Sequence, residues 1–372
     1  MQLSVIILNY NVRYFLEQCV HSVQKALEGI DSEIIVIDNA SSDDSCEMMK
    51  AKFPYIKLIE NKDNLGFPKG NNIGVAQAKG EYICILNPDT VVAEDTFSKI
   101  LNTKNWTLNT GIIGCKLIDG AGNFLPESKR GVPTPWVAFT KIFGLYKISN
   151  YFGKYYAQHL SENESGKVDI LVGAFMMMKR ELYLEVGGFD ENCFMYSDDI
   201  DLSYLVLKTG KSNYYFHETS VIHYKGESTV RDGTYIKRFR EAMQFFYKKH
   251  FKKSWFFDVM MQVGSFVFSL LKKNQQKNEV RNIDEYVVFS KGNLELNLSK
   301  KATYLSDFNY FENQSHKNIE IIFDTTTFSF AEIITFMQLN KSKNLSFKNY
   351  ISSSNYLIGS NNSNDRGQII LL

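Results

Sequence analysis

Four short apolar runs, residues 3–8, 33–37, 56–59 and 82–86, recur through the first 90 positions, each rich in Ile or Val and each ending in a polar turn. Runs of this length and composition predict strands. Between them, residues 14–27 and 43–52 carry helical patterning, the second preceded by Ser41 and Ser42 as cap candidates. Strand and helix in alternation predict a mostly parallel, doubly wound α/β sheet. Such sheets bind ligands beyond the carboxyl ends of their strands. Those ends read Asn9-Tyr10-Asn11, Asp38-Asn39-Ala40-Ser41-Ser42 and Asn87-Pro88-Asp89. Plain turns also use Asn, Asp and Ser, but three successive polar strand ends point to a site. No Gly-x-Gly-x-x-Gly follows the first strand, so a dinucleotide loop is not indicated.

A second acidic stretch lies more than a hundred residues later, Phe194-Met195-Tyr196-Ser197-Asp198-Asp199-Ile200-Asp201-Leu202. Like charges this close repel, so such a cluster serves a metal, a proton or a cationic ligand. The alternative is the acidic first turn of a helix over about residues 200–209, where Asp favours the positive end of the dipole.

At 372 residues the chain exceeds one ordinary domain, and its 44% hydrophobic content can build substantial cores. A net charge of +1 argues against bulk electrostatic binding of nucleic acid. The five cysteines (Cys19, Cys46, Cys84, Cys115 and Cys193) are scattered and form no Cys-x-x-Cys pair, so neither a disulfide framework nor a zinc site is indicated. A reducing cytoplasm is the expected compartment. Residues 3–8 directly follow Met1-Gln2 without a basic region or cleavage site, and are not expected to act as a signal peptide.

The segments Ser4-Val5-Ile6-Ile7-Leu8-Asn9-Tyr10-Asn11, Val36-Ile37-Asp38-Asn39-Ala40-Ser41-Ser42-Asp43, Asn64-Leu65-Gly66-Phe67-Pro68-Lys69-Gly70-Asn71-Asn72 and Leu86-Asn87-Pro88-Asp89 resemble the GT-A glycosyltransferases of family 2. Ser128-Lys129-Arg130-Gly131-Val132-Pro133-Thr134-Pro135, Gly173-Ala174-Phe175, Gly187-Gly188-Phe189-Asp190-Glu191, the acidic stretch and His223-Tyr224-Lys225-Gly226-Glu227-Ser228-Thr229 are similar to the bacterial rhamnosyltransferase-like branch. The resemblance runs in one order from residue 3 to about 250.

The resemblance implies inverting transfer of a sugar from a dTDP- or UDP-linked donor to a hydroxyl of a saccharide acceptor, lipid-linked, in bacterial surface-polysaccharide assembly. Rhamnose is the favoured sugar. Galactose, glucose or an N-acetylhexosamine on the same scaffold, or a non-catalytic nucleotide-sugar-binding module, are the alternatives. Asp89 is then the metal-binding member of an Asp-x-Asp position whose first member is here Asn87, and Mn2+ or Mg2+ is the implied cofactor. Asp38 is implied to accept from the pyrimidine imide N–H, against the rival role of a turn or cap residue. Asn9, Tyr10, Asn11, Asn64, Gly66, Lys69, Asn71 and Asn72 are read as donor-side lining, the last five on one loop in which Gly66 and Gly70 permit close approach. Asp199 is the implied general base, and Asp198 stands where the family commonly has Glu. Asp201 caps or orients the following helix, Arg130 belongs to the acceptor or supporting set, and His223 completes the metal shell or contacts the diphosphate.

Beyond residue 250 the character changes. Residues 255–271 are strongly apolar between Lys248, Lys249, Lys252, Lys253 and Lys272, Lys273, Lys277. They are short for a span of roughly 20 residues and contain Asp258 and Gln262, so an amphipathic helix on the inner face of the cytoplasmic membrane is expected. A helix packed on the core is the alternative. Strands at 286–289, 302–305, 319–323, 345–348 and 356–358 and a helix at 329–339 predict a small C-terminal α/β appendage without a catalytic constellation. The expected organisation is thus a donor-binding part (1–110), an acceptor-binding and catalytic part (111–250), the amphipathic helix (251–279) and the appendage (280–372).

Overall fold

The computed structural model describes residues 1–142, 144–224, 233–251, 281–361 and 367–372. Strands β1 (Leu3–Asn9), β2 (Ser32–Asp38), β3 (Lys57–Glu60), β4 (Tyr82–Leu86), β5 (Thr90–Val92), β6 (Thr110–Ile118), β7 (Gly166–Val168), β8 (Phe175–Lys179) and β9 (Ser212–His223) form one nine-stranded sheet. Its order is β3-β2-β1-β4-β8-β6-β9-β5, with β7 and β5 pairing successive parts of β9. The β3-β2-β1-β4 half is parallel. Strand β8 then runs antiparallel between β4 and β6. Helices in the described residues are α1 (Arg13–Ala26), α2 (Ser45–Lys52), α3 (Gly66–Ala76), α4 (Thr96–Leu101), α5 (Pro135–Ile142), α6 (Arg180–Glu185), α7 (Asp198–Lys208), α8 (Gly233–His250) and α9 (Phe330–Leu339).

The apolar runs are continuous because both faces of the sheet are covered, and successive side chains alternate between them. Leu3, Val5 and Ile7 pack with Leu16, Val20 and Val23 of α1. Ile6 and Leu8 pack with Val75 of α3 and Leu202 and Val206 of α7. The result is an α/β fold with a parallel N-terminal half, and its four N-terminal strands and two N-terminal helices lie within about two residues of the sequence expectation. One sheet takes strands from both sides of residue 110, since β8 separates β4 from β6.

The C-terminal strands β10 (Glu285–Phe289), β11 (Ala302–Leu305), β12 (Ile319–Asp324), β13 (Leu345–Ile351), β14 (Tyr356–Gly359) and β15 (Gln368–Leu371) form a second sheet, ordered β11-β10-β12-β13-β14-β15. Strand β15 has no counterpart in the sequence reading. This unit is packed onto the first sheet. Val12, Phe15, Val91, Ile118 and Ile222 share one buried cluster with Phe289, Phe323, Phe330, Ile334 and Met337. The Glu94 carboxylate accepts from Phe330 N and Ala331 N at 2.8 and 2.9 Å, satisfying two free N–H groups at the start of α9. Buried Glu17 accepts from Lys52 Nζ at 2.7 Å and from Ser353 and Ser354 hydroxyls at 3.1 and 2.6 Å.

No helix among the described residues is long and apolar enough to cross a membrane. The amphipathic helix expected at 255–271 lies outside the described residues.

Candidate active site at the strand ends

Strand register brings the polar strand ends to one edge. Asn9 pairs with Asp38, Ile7 with Leu86, Leu86 with Phe175, and Ile118 with Ile222. Asn9 Nδ2 donates to Asp38 Oδ2 at 2.7 Å and to Ser41 Oγ at 3.1 Å. Asp38 Oδ1 accepts from Ser41 N at 2.8 Å, the turn bond that rivals a ligand role. Each carboxylate oxygen keeps a second lone pair for a further donor. Asn11, at φ +56°, accepts from Ser42 N at 2.7 Å and so pins the β1 turn to the β2 turn. Half-buried Tyr10 sits between these residues.

The stretch 64–72 was expected to be a loop, and the structure corrects this: α3 starts at Gly66. Glycine, proline and asparagine are turn signals, but Pro68 falls in the first helical turn, where a missing N–H costs nothing. Gly66 has φ +79°, and a Cβ there would stand 2.8 Å from the Phe194 carbonyl oxygen. Its close approach is therefore to the loop before α7. Gly70 likewise faces Leu8, whose Cδ1 would lie 2.4 Å from an added Cβ.

Asn72 is spent within the fold. Its Nδ2 donates to Phe189 O at 2.9 Å and Glu191 Oε1 at 3.0 Å, while Oδ1 accepts from Tyr183 Oη and Phe189 N. Asn71 is buried and donates to Phe67 O at 2.9 Å. Lys69 and Asn64 are exposed, with Asn64 Oδ1 accepting from Gly66 N at 3.0 Å. Asn39, which sequence reasoning left out, holds this region by donating to Gly66 O at 3.1 Å and accepting from Asn61 Nδ2 at 2.8 Å. Its only sequence signal was its place after Asp38.

Asn87, Asp89 and His223 come together because β5 pairs Thr90 with His223. His223 Nε2 lies 3.4 Å from Asp89 Oδ1 and 3.4 Å from Asn87 Nδ2, with all three side chains largely buried or half-buried. Asn87 Oδ1 and His223 Nδ1 are buried without a hydrogen-bond partner among the described residues. Buried polar atoms are normally paired. A carboxylate, an imidazole nitrogen and an orphaned amide oxygen at one point form a donor set suited to a divalent cation. Among the described residues no third His, Cys, Asp or Glu joins them.

The acidic stretch opens α7 at Asp198, so Asp198 and Asp199 both occupy the first turn, two residues earlier than expected. Asp199 Oδ2 accepts from Arg130 Nη2 at 2.5 Å and from Gly173 N at 3.1 Å. Its Oδ1 takes no hydrogen bond from the described residues. The Gly173-Ala174 segment links this pair to the other strand ends, because Asn87 N donates to Ala174 O at 3.1 Å. Burial opposes the Arg130 charge, yet Asp199 and Tyr155 beside it hold its pKa above the usual value. Tyr155 had no sequence signal, being one ring in an aromatic run. Burial, and then repulsion from Asp199, push Asp198 up to about 7.

Asp201 was expected to cap or orient its own helix, and the structure corrects the first of these. Its oxygens accept from Lys249 Nζ at 2.8 Å and His250 Nε2 at 2.5 Å, tying α7 to the end of α8. Burial draws His250 below its usual pKa even beside Asp201, and Lys208 Nζ stands 2.8 Å from its Nδ1. The ring is neutral, donating from Nε2 and accepting at Nδ1.

Residues 4–187 match the family model for glycosyl transferase family 2. The N-acetylglucosaminyl-diphospho-decaprenol L-rhamnosyltransferase of Mycobacterium tuberculosis is 26% identical over 241 residues, 62% of this chain and 78% of that protein. Rhamnosyltransferase WbbL of Escherichia coli is 29% identical over 221 residues, 54% of this chain and 78% of its own. The GalNAc(5)-diNAcBac-PP-undecaprenol beta-1,3-glucosyltransferase of Campylobacter jejuni is 32% identical over 171 residues, covering 44% of this chain and 54% of that protein. The family match spans the ends of β1, β2 and β4 and the Gly173-Ala174 segment, so residues 4–187 form a glycosyl transferase family 2 region, and two rhamnosyltransferases are among the relatives of this chain.

Proposed function

We propose that this glycosyltransferase moves a sugar, rhamnose in first place, from a dTDP- or UDP-linked donor to a hydroxyl of a lipid-linked saccharide, with inversion. The observation that carries the reading is the meeting of Asn9 with Asp38, Asp89 with His223 and Asp199 with Arg130 along one edge of one sheet. The names of the Mycobacterium tuberculosis and Escherichia coli relatives favour rhamnose, and the first of them names a polyprenyl diphosphate. The glucosyl relative keeps other hexoses as the second reading.

Asp38 would accept from the pyrimidine imide N–H, and Asn9 holds its carboxylate in place for that bond. Asp89 and His223 would hold Mn2+ or Mg2+. When bound, that ion supplies Lewis-acid compensation of the charge that gathers on the diphosphate. Asp199 would take the acceptor hydroxyl proton on Oδ1, while Arg130 and Gly173 N grip Oδ2 and orient the carboxylate. Asn72, Gly66 and Gly70 support this site from behind rather than line it.

The test is a panel of dTDP-, UDP- and GDP-sugars, scored by calorimetric binding and by transfer to a polyprenyl-diphosphate-linked saccharide. Tightest binding and transfer with dTDP-rhamnose supports the reading. Binding without transfer to any acceptor points to the non-catalytic module.

A further inference from the structure

We propose that residues 135–156 form a face that docks this enzyme on an anionic phospholipid bilayer. The segment connects β6 to β7 through α5 and two 3-10 turns. It carries Lys141, Lys147 and Lys154 and not one Asp or Glu. Trp136, Ile148 and Tyr151 are 56%, 78% and 76% exposed, an unusual outlay of large apolar surface within so short a span.

The pattern is that of a headgroup-level surface. Trp and Tyr favour the membrane–water boundary because one end of the ring is apolar and the other wet. Lysines add attraction to anionic lipid and keep their ammonium groups in water while their stems lie along apolar surface. A second copy of the chain is the less suitable occupant. A two-fold contact through this face would set its lysines against the same lysines with no acid within the segment to answer them.

The face is also joined to the candidate active site. Tyr155 O accepts from Gly131 N at 3.1 Å, next to Arg130, and Lys141 Nζ lies 3.5 Å from the centre of the Tyr155 ring. Tyr247 near the end of α8 donates to Pro133 O, so that helix reaches the start of the same segment. The inference rests on the proposed lipid-linked acceptor for its purpose, since a soluble acceptor needs no such face.

The test uses the full chain with phosphatidylcholine vesicles, with and without phosphatidylglycerol, in a sedimentation assay. Binding is expected on the anionic vesicles and is expected to weaken with salt. The double variant Ile148→Ser/Tyr151→Ser should lose about tenfold or more in partition, and Lys147→Glu/Lys154→Glu at least as much. Donor affinity of both variants should stay within about twofold of wild type, which shows that they fold. In a Trp106→Phe/Trp255→Phe background, Trp136 emission should shift to the blue on anionic vesicles. Unchanged partition of both double variants overturns the proposal, as does equal binding to neutral vesicles. So does a loss of binding caused only by the triple variant Phe256→Gln/Val263→Gln/Phe266→Gln, or self-association through this face. Vesicle binding is read without sugar transfer, so an inactive enzyme that still binds would count against the proposed function and not against the docking face.

Discussion

Arg130 Nη2 and Asp199 Oδ2 stand 2.5 Å apart across 69 residues of chain, joining the segment after β6 to the first turn of α7. The pair leaves Asp199 Oδ1 without a hydrogen bond from the described residues and fixes the direction in which the carboxylate points. Asp198, one residue earlier, carries a raised pKa, because burial and then repulsion from Asp199 outweigh the opposing pull of Arg130. Two neighbouring carboxylates thus sit in different surroundings.

The first prediction separates binding from chemistry at Asp199. Asp199→Asn should bind donor about as well as wild type while turnover falls by roughly two to four orders of magnitude, the range of a lost general base. Calorimetry and single-turnover transfer measure the two quantities. A dead Asp198→Asn beside an active Asp199→Asn would move the base to Asp198.

Arg130→Met tests orientation. It removes the grip on Oδ2 and leaves a buried carboxylate without its partner, which costs about 3–5 kcal/mol of stability when the pair is well buried. Turnover should drop while donor affinity holds, and Arg130→Lys should recover only part of it because one ammonium cannot reproduce the guanidinium fork. Full recovery by Lys would reduce Arg130 to a simple counter-charge.

Removal of the cation should mimic removal of its ligand. Asp89→Ala and excess chelator are each expected to weaken donor binding and abolish transfer, and neither should add to the other. Measured donor affinities in a two-by-two design check this. Additive losses would mean that Asp89 acts on the donor without a metal.

Asp198 gives a pH signature. Its folded pKa of about 7 lies above the roughly 3.9 of an unfolded Asp, so the folded state holds the proton more tightly. Its contribution to stability is complete below about pH 4 and is lost as pH rises toward 7, by up to about 1.4 kcal/mol per pH unit. Asp198→Asn stays neutral throughout, so its melting temperature should exceed that of wild type at pH 8, with the difference shrinking toward pH 4. Parallel melting curves across that range would exclude a buried, proton-binding Asp198.

The C-terminal unit should not be separable. A chain ending at residue 280 would bare Val12, Phe15, Val91, Ile118 and Ile222 and is expected to aggregate. Glu94→Ala removes two hydrogen bonds at the start of α9 and should cost about 1 kcal/mol, read by chemical denaturation. A soluble, cooperatively folding 1–280 chain would show the shared core to be dispensable.

The sequence by itself determined the strands of the first 90 residues and the polar character of their ends. Those signals are local: an Ile- and Val-rich run bounded by Asn, Asp and Ser states its own conformation. Local signals also misled, since Gly66, Pro68 and Gly70 spell a loop in sequence and open a helix in the fold. Only the tertiary structure decided that β8 enters antiparallel between β4 and β6, which carries Gly173 to Asp199 and Ala174 to Asn87. It alone decided that Asp201 serves Lys249 and His250, and that Lys25 donates to Thr325 O across 300 residues of chain. Such pairings follow from the complementary shape and charge of surfaces that meet after the sheet has formed, and no window of neighbouring residues holds that information.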